Sequence, residues 1–158
     1  MLDFDTAQSR LAEAGPATQK TETCLLQDAL GRVLAESIIA TVDLPPDDNS
    51  AMDGYAIRLA DHQPGAALPI QQRVYAGEAP EALKPGHAIR LFTGSLIPAG
   101  ADAVVIQENC TEADGAVRIH EAPKLGENVR KRGEDMATGQ AILRAGTRVQ
   151  PAHLTCLA

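Results

Sequence analysis

The amino-terminal segment alternates apolar and polar residues at the spacing of a helix. Its apolar positions recur every three or four residues: Phe4, Ala7, Leu11 and Ala14. Asp3 or Asp5 is placed to cap the start, and the Gly-Pro pair at 15–16 stops the run. The pattern predicts a short amphipathic helix that needs a partner surface.

After this helix the apolar spacing shortens. Residues 24–26 predict a strand, residues 27–30 one helical turn ended by Gly31, and residues 33–40 a second strand. Near the other end of the chain, two segments predict a final hairpin and a third predicts the start of a helix: 140–143, 147–149 and 151–158. These elements flank the middle of the chain on both sides.

The middle of the chain predicts an all-β lobe. Residues 43–53 are rich in proline and acidic residues, so they predict an exposed loop. Short apolar segments separated by turn residues follow it, each long enough for one strand: 54–58, 70–76, 88–92, 103–107 and 117–120. Since loops held by rigid strands often carry function, the chemistry is expected in the loops.

Composition and charge exclude several classes of protein. With only two Tyr, two Phe and no Trp, the core must be aliphatic. The formal charge of -7 is unfavourable for extended nucleic-acid binding, and no apolar run is long enough for a membrane span. The acidic amino terminus differs from a signal peptide, which predicts a cytoplasmic protein. The three cysteines predict buried free thiols: Cys24, Cys110 and Cys156.

Residues 49–56 form the first candidate site. A carboxylate on a turn, Asp53, precedes Gly54, a residue type that allows close approach of the backbone to a ligand. Asp53 is therefore a candidate for holding a metal ion or orienting water. The alternative is that Asp53 and Gly54 only form a turn into a strand.

Residues 92–105 form the second candidate site. A strand delivers Thr93 and Gly94 to a turn, and a hydroxyl beside bare amides suits phosphate oxygens. The segment lacks the lysine of a P-loop, and Thr-Gly-Ser is also common at ordinary strand ends.

Residues 126–135 form the third candidate site. Cations at 130–132 lie next to Glu134 and Asp135, and arginine binds phosphate while carboxylates bind magnesium. The alternative is a solvated loop with weak surface ion pairs. The four histidines have no metal-site spacing and are predicted at the surface: His62, His87, His120 and His153.

Taken together, these motifs resemble the molybdopterin molybdenumtransferase family, the MoeA family that includes the gephyrin E domain. The resemblance is carried by SAMDGYA at 50–56, TG at 93–94 with PxGADAVV at 98–105, and NxR at 128–130 with GED at 133–135. Residues 29–35 and 139–149 extend it over nearly the whole chain.

The resemblance implies a fold that is mainly β with a few short helices. An all-β domain, residues 41–136, is expected to be inserted into an elongated mixed α/β dimerisation domain formed by residues 1–40 and 137–158. The pterin-binding third domain and the fourth domain of the family have no counterpart in this chain. The chain alone is therefore expected to be inactive.

The resemblance also implies the site and its chemistry. The family inserts molybdate into adenylylated molybdopterin with Mg²⁺, in a cleft between two subunits of a homodimer. Matching positions give Asp53, Thr93 and Asp135 as catalytic residues, with Asp53 and Asp135 also as Mg²⁺ ligands. Further substrate-binding candidates are Ser50, Gly94, Arg130 and Glu134. The molybdopterin adenylyltransferase is an expected partner.

Two other interpretations remain open at this point. The chain is also compatible with a non-catalytic dimerisation or partner-binding module derived from the same family. A magnesium- or phosphate-binding β module unrelated to molybdenum is the third possibility, supported only by the mixed-charge loops.

Overall fold

A computed structural model describes residues 2–15 and 20–157 of the chain. These residues contain two α-helices, α1 (Phe4–Ala14) and α2 (Pro151–Leu157). The strands are β1 (Ile38–Ile39), β2 (Asn49–Ser50), β3 (Gly54–Ile57), β4 (Ala67–Val74), β5 (Ala88–Leu91), β6 (Ala103–Ile106), β7 (Cys110–Ala113), β8 (Ala116–Ile119), β9 (Val129–Arg130) and β10 (Ala141–Leu143). The prediction of a mainly β fold with short helices is confirmed.

The chain divides into two compact units. Unit 1 comprises Met1–Ile38 and Ala141–Ala158, and unit 2 comprises Ile39–Gln140. The domain boundaries at 40/41 and 136/137, the insertion of one domain into the other and the dimerisation role stay predictions.

Unit 2 is built on a six-stranded sheet in the order β6-β3-β5-β4-β8-β7. Strands β4 and β5 are parallel, and the other neighbouring strands are antiparallel. Every residue of β3 and β5 is buried, as are the first three residues of β6. The centre of the sheet therefore has no face open to water.

Burial of both faces explains the continuous apolar runs of these strands. Successive side chains of a strand point to opposite faces. On one face Tyr55 and Ile57 pack with Val105, and on the other Ala56 packs with Val104. Because both faces are apolar, the local sequence shows a run of apolar residues rather than an alternation. Strands β3, β5 and β6 carry such runs. Strands β4 and β8 also have exposed positions, and they were predicted as short segments bounded by turn residues.

Strand β7 was not predicted from the sequence. This strand carries Thr111 and Glu112, and three of its four residues are exposed. It is an edge strand that pairs with β8 across the turn at Asp114 and Gly115. Polar edge strands lack the apolar residues from which the other strands are predicted.

Unit 1 confirms the first predicted helix and corrects two predicted strands. Asp3 caps α1 through the amide nitrogen of Thr6, at 2.9 Å. Residues 24–26 form no strand, and a 3-10 turn, Leu26–Asp28, follows instead. Most of the predicted strand 33–40 is absent too, and only β1 and a single bridge at Val33 form.

The predicted hairpin of residues 140–149 is also wrong. Strand β10 pairs with β1, and the bridge at Val33 joins Arg148. The amide nitrogen of Leu34 donates to the carbonyl of Thr147 at 2.9 Å. Both segments thus pair with residues more than 100 positions earlier, and local turn residues carry no information about such a partner.

No helix within residues 2–15 and 20–157 is both long and apolar enough to cross a bilayer. The three cysteines are free thiols, but Cys24 and Cys156 are exposed and only Cys110 is half-buried, so the prediction of buried thiols is wrong for two of them. They lie outside the central strands, where burial is complete.

Candidate functional site

The candidate site is organised around residues 49–53, which we call the central strip. On one side it is bonded to the turn after β5. The amide nitrogen of Ser50 donates to the carbonyl of Ser95, and the amide nitrogen of Gly94 donates to the carbonyl of Ser50, both at 2.9 Å. Buried Ser95 holds this turn, because its hydroxyl donates to the carbonyl of Val74 at 2.8 Å.

The central strip ends at Asp53, which contacts Thr93 directly. The amide nitrogen and the hydroxyl of Thr93 each donate to Oδ1 of Asp53 at 2.8 Å. These bonds lower the pKa of Asp53, the amide contributing most, and the charge of Arg90 lowers it further. Among residues 2–15 and 20–157, none donates to Oδ2. Asp53 is therefore an ionised carboxylate with one oxygen fixed and the other open.

The other side of the central strip is bonded to the loop that carries the third motif. Strand β2 pairs antiparallel with β9, with Ser50 opposite Val129 and Asn49 opposite Arg130. The amide nitrogen of Ala51 donates to the carbonyl of Asn128 at 2.9 Å. The three motifs that were singled out in the sequence thus meet at one strip of backbone.

Arg130 connects this strip to the two acidic candidates of the third motif. Its Nε donates to Oε1 of Glu134 at 2.8 Å, and its Nη2 forms an ion pair with Asp135. Glu134 and then Asp135 raise the pKa of Arg130. Because Arg130 is shared between two carboxylates, its charge is already offset within the chain.

Further ion pairs join the loop before the central strip to residues 131–132. Nζ of Lys131 lies 2.7 Å from Oδ2 of Asp48, and Nε of Arg132 lies 2.6 Å from Oδ2 of Asp43. These are the surface ion pairs that the alternative interpretation of this charged segment predicts. An exposed pair such as Lys131 with Asp48 contributes little to stability on its own.

Asp43 has the most strongly shifted carboxyl of this group. The amide nitrogen of Thr138 donates to its Oδ1 at 2.7 Å, and this bond together with Arg132 lowers the pKa of Asp43 from 3.8 to about 2. A lowered pKa in the folded state contributes stability above the unfolded pKa, and this contribution is lost as the pH falls through about 2.

The variant Asp43→Asn is therefore expected to lose stability at neutral pH and to show a flatter decline between pH 4 and 2. Urea unfolding at pH 7, 4 and 2.5 measures this dependence. Since the Thr138 amide is the larger cause, Arg132→Met should flatten the decline less than Asp43→Asn. If the free energy of unfolding of Asp43→Asn falls between pH 4 and 2.5 as steeply as that of the wild type, the assignment is wrong.

The predicted cradle of free amides is not open in this structure. The amide nitrogen of Thr93 is bonded to Asp53, that of Gly94 to Ser50, and that of Ser95 to the carbonyl of Phe92 at 2.9 Å. The Thr93 hydroxyl also donates to Asp53 rather than outward. Within the described part of the chain, no group of three or more His, Cys, Asp or Glu side chains is arranged to hold a metal ion.

Gly54 has a different role from the one that the sequence suggested. A Cβ atom at this position would lie 2.2 Å from the carbonyl oxygen of Val105 and 3.0 Å from a methyl group of Val104. The close approach is therefore to strand β6 and not to a ligand. The glycine lets β3 and β6 pair closely where the central strip enters the sheet.

A stack of side chains beside Asp53 was not predicted from the sequence. Buried Arg90 donates through Nη1 to the carbonyl of Gly54 at 3.1 Å and through Nη2 to the side chain of Gln107. Its guanidinium carbon lies 4.9 Å from the ring centroid of Tyr55 and 4.8 Å from that of Phe92. One signal was present, because Arg90 is the only charge in the apolar run 88–92.

Comparisons with known proteins give consistent results. The family model for the MoeA N-terminal region (domain I and II) matches residues 2–158. A molybdopterin molybdenumtransferase of Haemophilus influenzae is 41% identical over 160 residues, covering 100% of this chain and 40% of the relative. One of Nostoc sp. is 41% identical over 146 residues, covering 89% of this chain and 34% of the relative.

A solved structure agrees with these relatives. The crystal structure of the molybdopterin biosynthesis moeA protein of Pyrococcus horikoshii matches with a TM-score of 0.85 and 35% identity. The match covers 99% of this chain and 43% of that one. The chain thus spans about 40% of the length of the proteins that it matches.

Proposed function

Because this chain belongs to the MoeA N-terminal family (domain I and II), we propose that it is the amino-terminal part of a molybdopterin molybdenumtransferase. The full-length protein inserts molybdate into adenylylated molybdopterin in the cytoplasm. The observation that carries this proposal is the meeting of all three family motifs at residues 49–53, with Asp53 fixed by Thr93.

Asp53 is the residue that we assign to the reacting end of the substrate. Its carboxylate is ionised, and both bonds from Thr93 end on Oδ1, so that Oδ2 has no donor within the described part of the chain. Mg²⁺ binds one or two carboxylates and completes its shell with water and substrate phosphates. Asp53 fits such a site as a single protein ligand. The ion, when bound, would offset negative charge as the phosphoanhydride bond to AMP is cleaved.

Asp135 fits the ion less well on its own. Its Oδ2 is paired with Arg130, and half of its side-chain surface is exposed. We assign Asp135 and Glu134 to the opposite rim of the site, where Arg130 holds both carboxylates in place. When an anionic substrate enters, Arg130 exchanges one of these partners for a substrate oxygen, as a guanidinium with several donors is able to do.

Ser50, Thr93 and Gly94 position the site. The hydroxyl of buried Ser50 donates to the carbonyl of Met52 at 2.6 Å, and the Gly94 amide holds the carbonyl of Ser50. Thr93 uses both of its donors on Asp53. Their contribution is to fix Asp53 before the substrate binds, which avoids reorganisation during the reaction.

The site is completed by another polypeptide. We propose that unit 1 mediates a homodimer and that the third domain of the second subunit supplies the remaining wall. Unit 1 has an open groove of about 1000 Å³, and exposed apolar side chains line or flank it: Leu25, Leu26, Leu30 and Val33. The molybdopterin adenylyltransferase is the partner that we propose for delivery of the pterin substrate.

One observation favours the non-catalytic alternative. The motif loops satisfy most of their own donors, since the amides of Thr93 and Gly94 and the guanidinium of Arg130 all have partners within the chain. A module that only stabilises a dimer would need no open donor. The alternative predicts that substitutions at Asp53 leave cofactor maturation unchanged.

Molybdate insertion in vitro tests the proposal. In the presence of Mg²⁺, the full-length protein is expected to convert adenylylated molybdopterin and molybdate into molybdenum cofactor with release of AMP, and EDTA should abolish this release. The 158-residue chain alone should release no AMP. Activity of the short chain would contradict the two-subunit site, and an inactive full-length protein would contradict the proposed function.

A further inference from the structure

The aromatic residues of the chain are concentrated at the candidate site. The chain has two Tyr, two Phe and no Trp. Three of these four rings form one continuous stack with Arg90: Tyr55, Phe92 and Tyr75. Such a concentration of scarce residues calls for an explanation beyond core packing, because the rest of the core is aliphatic.

The stack is ordered from its buried end to its surface. Tyr55 is buried and its hydroxyl donates to Oε2 of Glu112 at 2.8 Å. Arg90 contacts the rings of Tyr55 and Phe92. Phe92 in turn stacks on Tyr75, with ring centroids 4.4 Å apart and an angle of 7° between the planes. Tyr75 remains 52% exposed.

The backbone of Tyr75 is fixed as firmly as its ring. Its amide nitrogen donates to Oε2 of Glu78 at 3.0 Å, and the amide nitrogen of Glu78 donates back to its carbonyl at 3.0 Å. A ring that is already ordered loses little conformational entropy when a ligand covers its free face. The exposed face of Tyr75 is thus a preorganised flat surface.

This surface lies next to the carboxylate that we assign to the substrate. Phe92 immediately precedes Thr93, which contacts Asp53. A Cβ atom at Gly94 would lie 3.6 Å from the Cβ of Ala76, so the backbone after Tyr75 runs beside the same turn. The stack therefore ends within the neighbourhood of Asp53 and on the same unit.

From this arrangement we infer that the exposed face of Tyr75 binds the planar nitrogen heterocycle of the substrate by parallel stacking. This inference rests on the proposed function for the identity of the ligand. An electron-rich phenol ring suits an electron-poor fused heterocycle. Two rings of the proposed substrate have this chemistry, the pterin and the adenine, and the test distinguishes them.

The test uses the full-length protein with tyrosine-selective isotope labelling. The resonance of Tyr75 is assigned by its absence in Tyr75→Phe. The protein is titrated with a free pterin and, separately, with AMP. Stacking on Tyr75 is expected to shift its ring protons upfield with one of the two probes, and that probe identifies the ring. If neither probe shifts Tyr75, the inference is overturned.

Steady-state kinetics provide a second readout with matched variants. Tyr75→Leu is expected to raise the KM for adenylylated molybdopterin by about tenfold or more with kcat little changed, since stacking on an aromatic side chain strengthens binding to this extent. Tyr75→Phe should keep the KM of the wild type, because it keeps the ring. Leu125→Ala, which truncates another exposed apolar side chain of unit 2, should also keep it.

The two readouts separate this inference from the proposed function. Suppose that the full-length protein is active, that Tyr75→Leu has the KM of the wild type and that the Tyr75 resonance does not shift. The stacking site would then be wrong, and the proposed function would stand. If the Tyr75 resonance shifts but the full-length protein has no insertion activity, the stacking site stands and the proposed function is wrong. A higher KM in Tyr75→Phe, equal to that of Tyr75→Leu, would attribute the effect to the hydroxyl and overturn stacking.

Discussion

The variant Asp53→Asn is expected to lower kcat/KM for molybdate insertion by roughly a hundredfold to a thousandfold in the full-length protein. Asparagine keeps the shape of the side chain and its acceptor for Thr93 but loses the negative charge and one oxygen. Oδ1 accepts both bonds from Thr93, so the single oxygen of asparagine is able to keep them. The oxygen and the charge that are lost are therefore those of Oδ2, which we assign to the substrate side. AMP release at saturating and at low molybdate measures the effect.

A matched control and a second variant sharpen this experiment. Asp114→Asn changes another exposed aspartate of unit 2, at a turn position with φ of 52° that asparagine also adopts, and should keep full activity. Thr93→Val keeps the amide bond to Asp53 and removes the hydroxyl. If Thr93 acts through Asp53, the double variant should lose less than the product of the two single losses. Independent losses, or full activity in Asp53→Asn, would refute these roles.

The variant Gly54→Ala is expected to destabilise unit 2 by about 3 kcal/mol or more. The added methyl group would lie 2.2 Å from the carbonyl oxygen of Val105. This oxygen belongs to the backbone of the neighbouring strand, so a side-chain rotation does not relieve the clash. Strands β3 and β6 must separate to admit it, and Asp53 moves with them. Urea denaturation of the chain measures the loss.

Gly65→Ala is the matched control for this prediction. Gly65 has φ of +79° and no atom within 4 Å of the added Cβ, so only backbone strain acts there. The expected cost is about 1–2 kcal/mol. If Gly54→Ala unfolds at the same urea concentration as the wild type, the close strand pairing is wrong. If it matches Gly65→Ala, a general glycine effect explains the result instead.

The sequence predicted local features well and distant pairings poorly. Strands β3, β5 and β6 are apolar at almost every position because both faces of the sheet are covered, so a run of apolar residues predicts them. The supposed hairpin near the carboxyl end failed for the opposite reason. Its two segments pair with β1 and with the backbone near Val33, and no turn motif specifies a partner so far along the chain.

At the candidate site, too, individual residues were predicted from the sequence but the contacts between them were not. Asp53, Thr93 and Asp135 were singled out from residue type and family resemblance, but the Thr93 to Asp53 bonds require the antiparallel pairing of β3 with β5. Tyr75 was missed because an isolated tyrosine at the end of a strand looks ordinary. Its importance follows only from the position of Phe92 on the neighbouring strand.

Assembly of the central strip has a consequence for biosynthesis. Contacts at this strip and at the adjacent Asp48 join residues that lie 40 positions apart, Thr93 and Asp53, and 84 positions apart, Arg132 and Asp48. During translation, residues 49–53 therefore leave the ribosome long before the segments that bond to them. Until β8 has emerged, the six-stranded sheet is incomplete, and its apolar strands are exposed to chaperones and to aggregation. Strand β2 lacks its partner strand β9 until residue 130 has emerged.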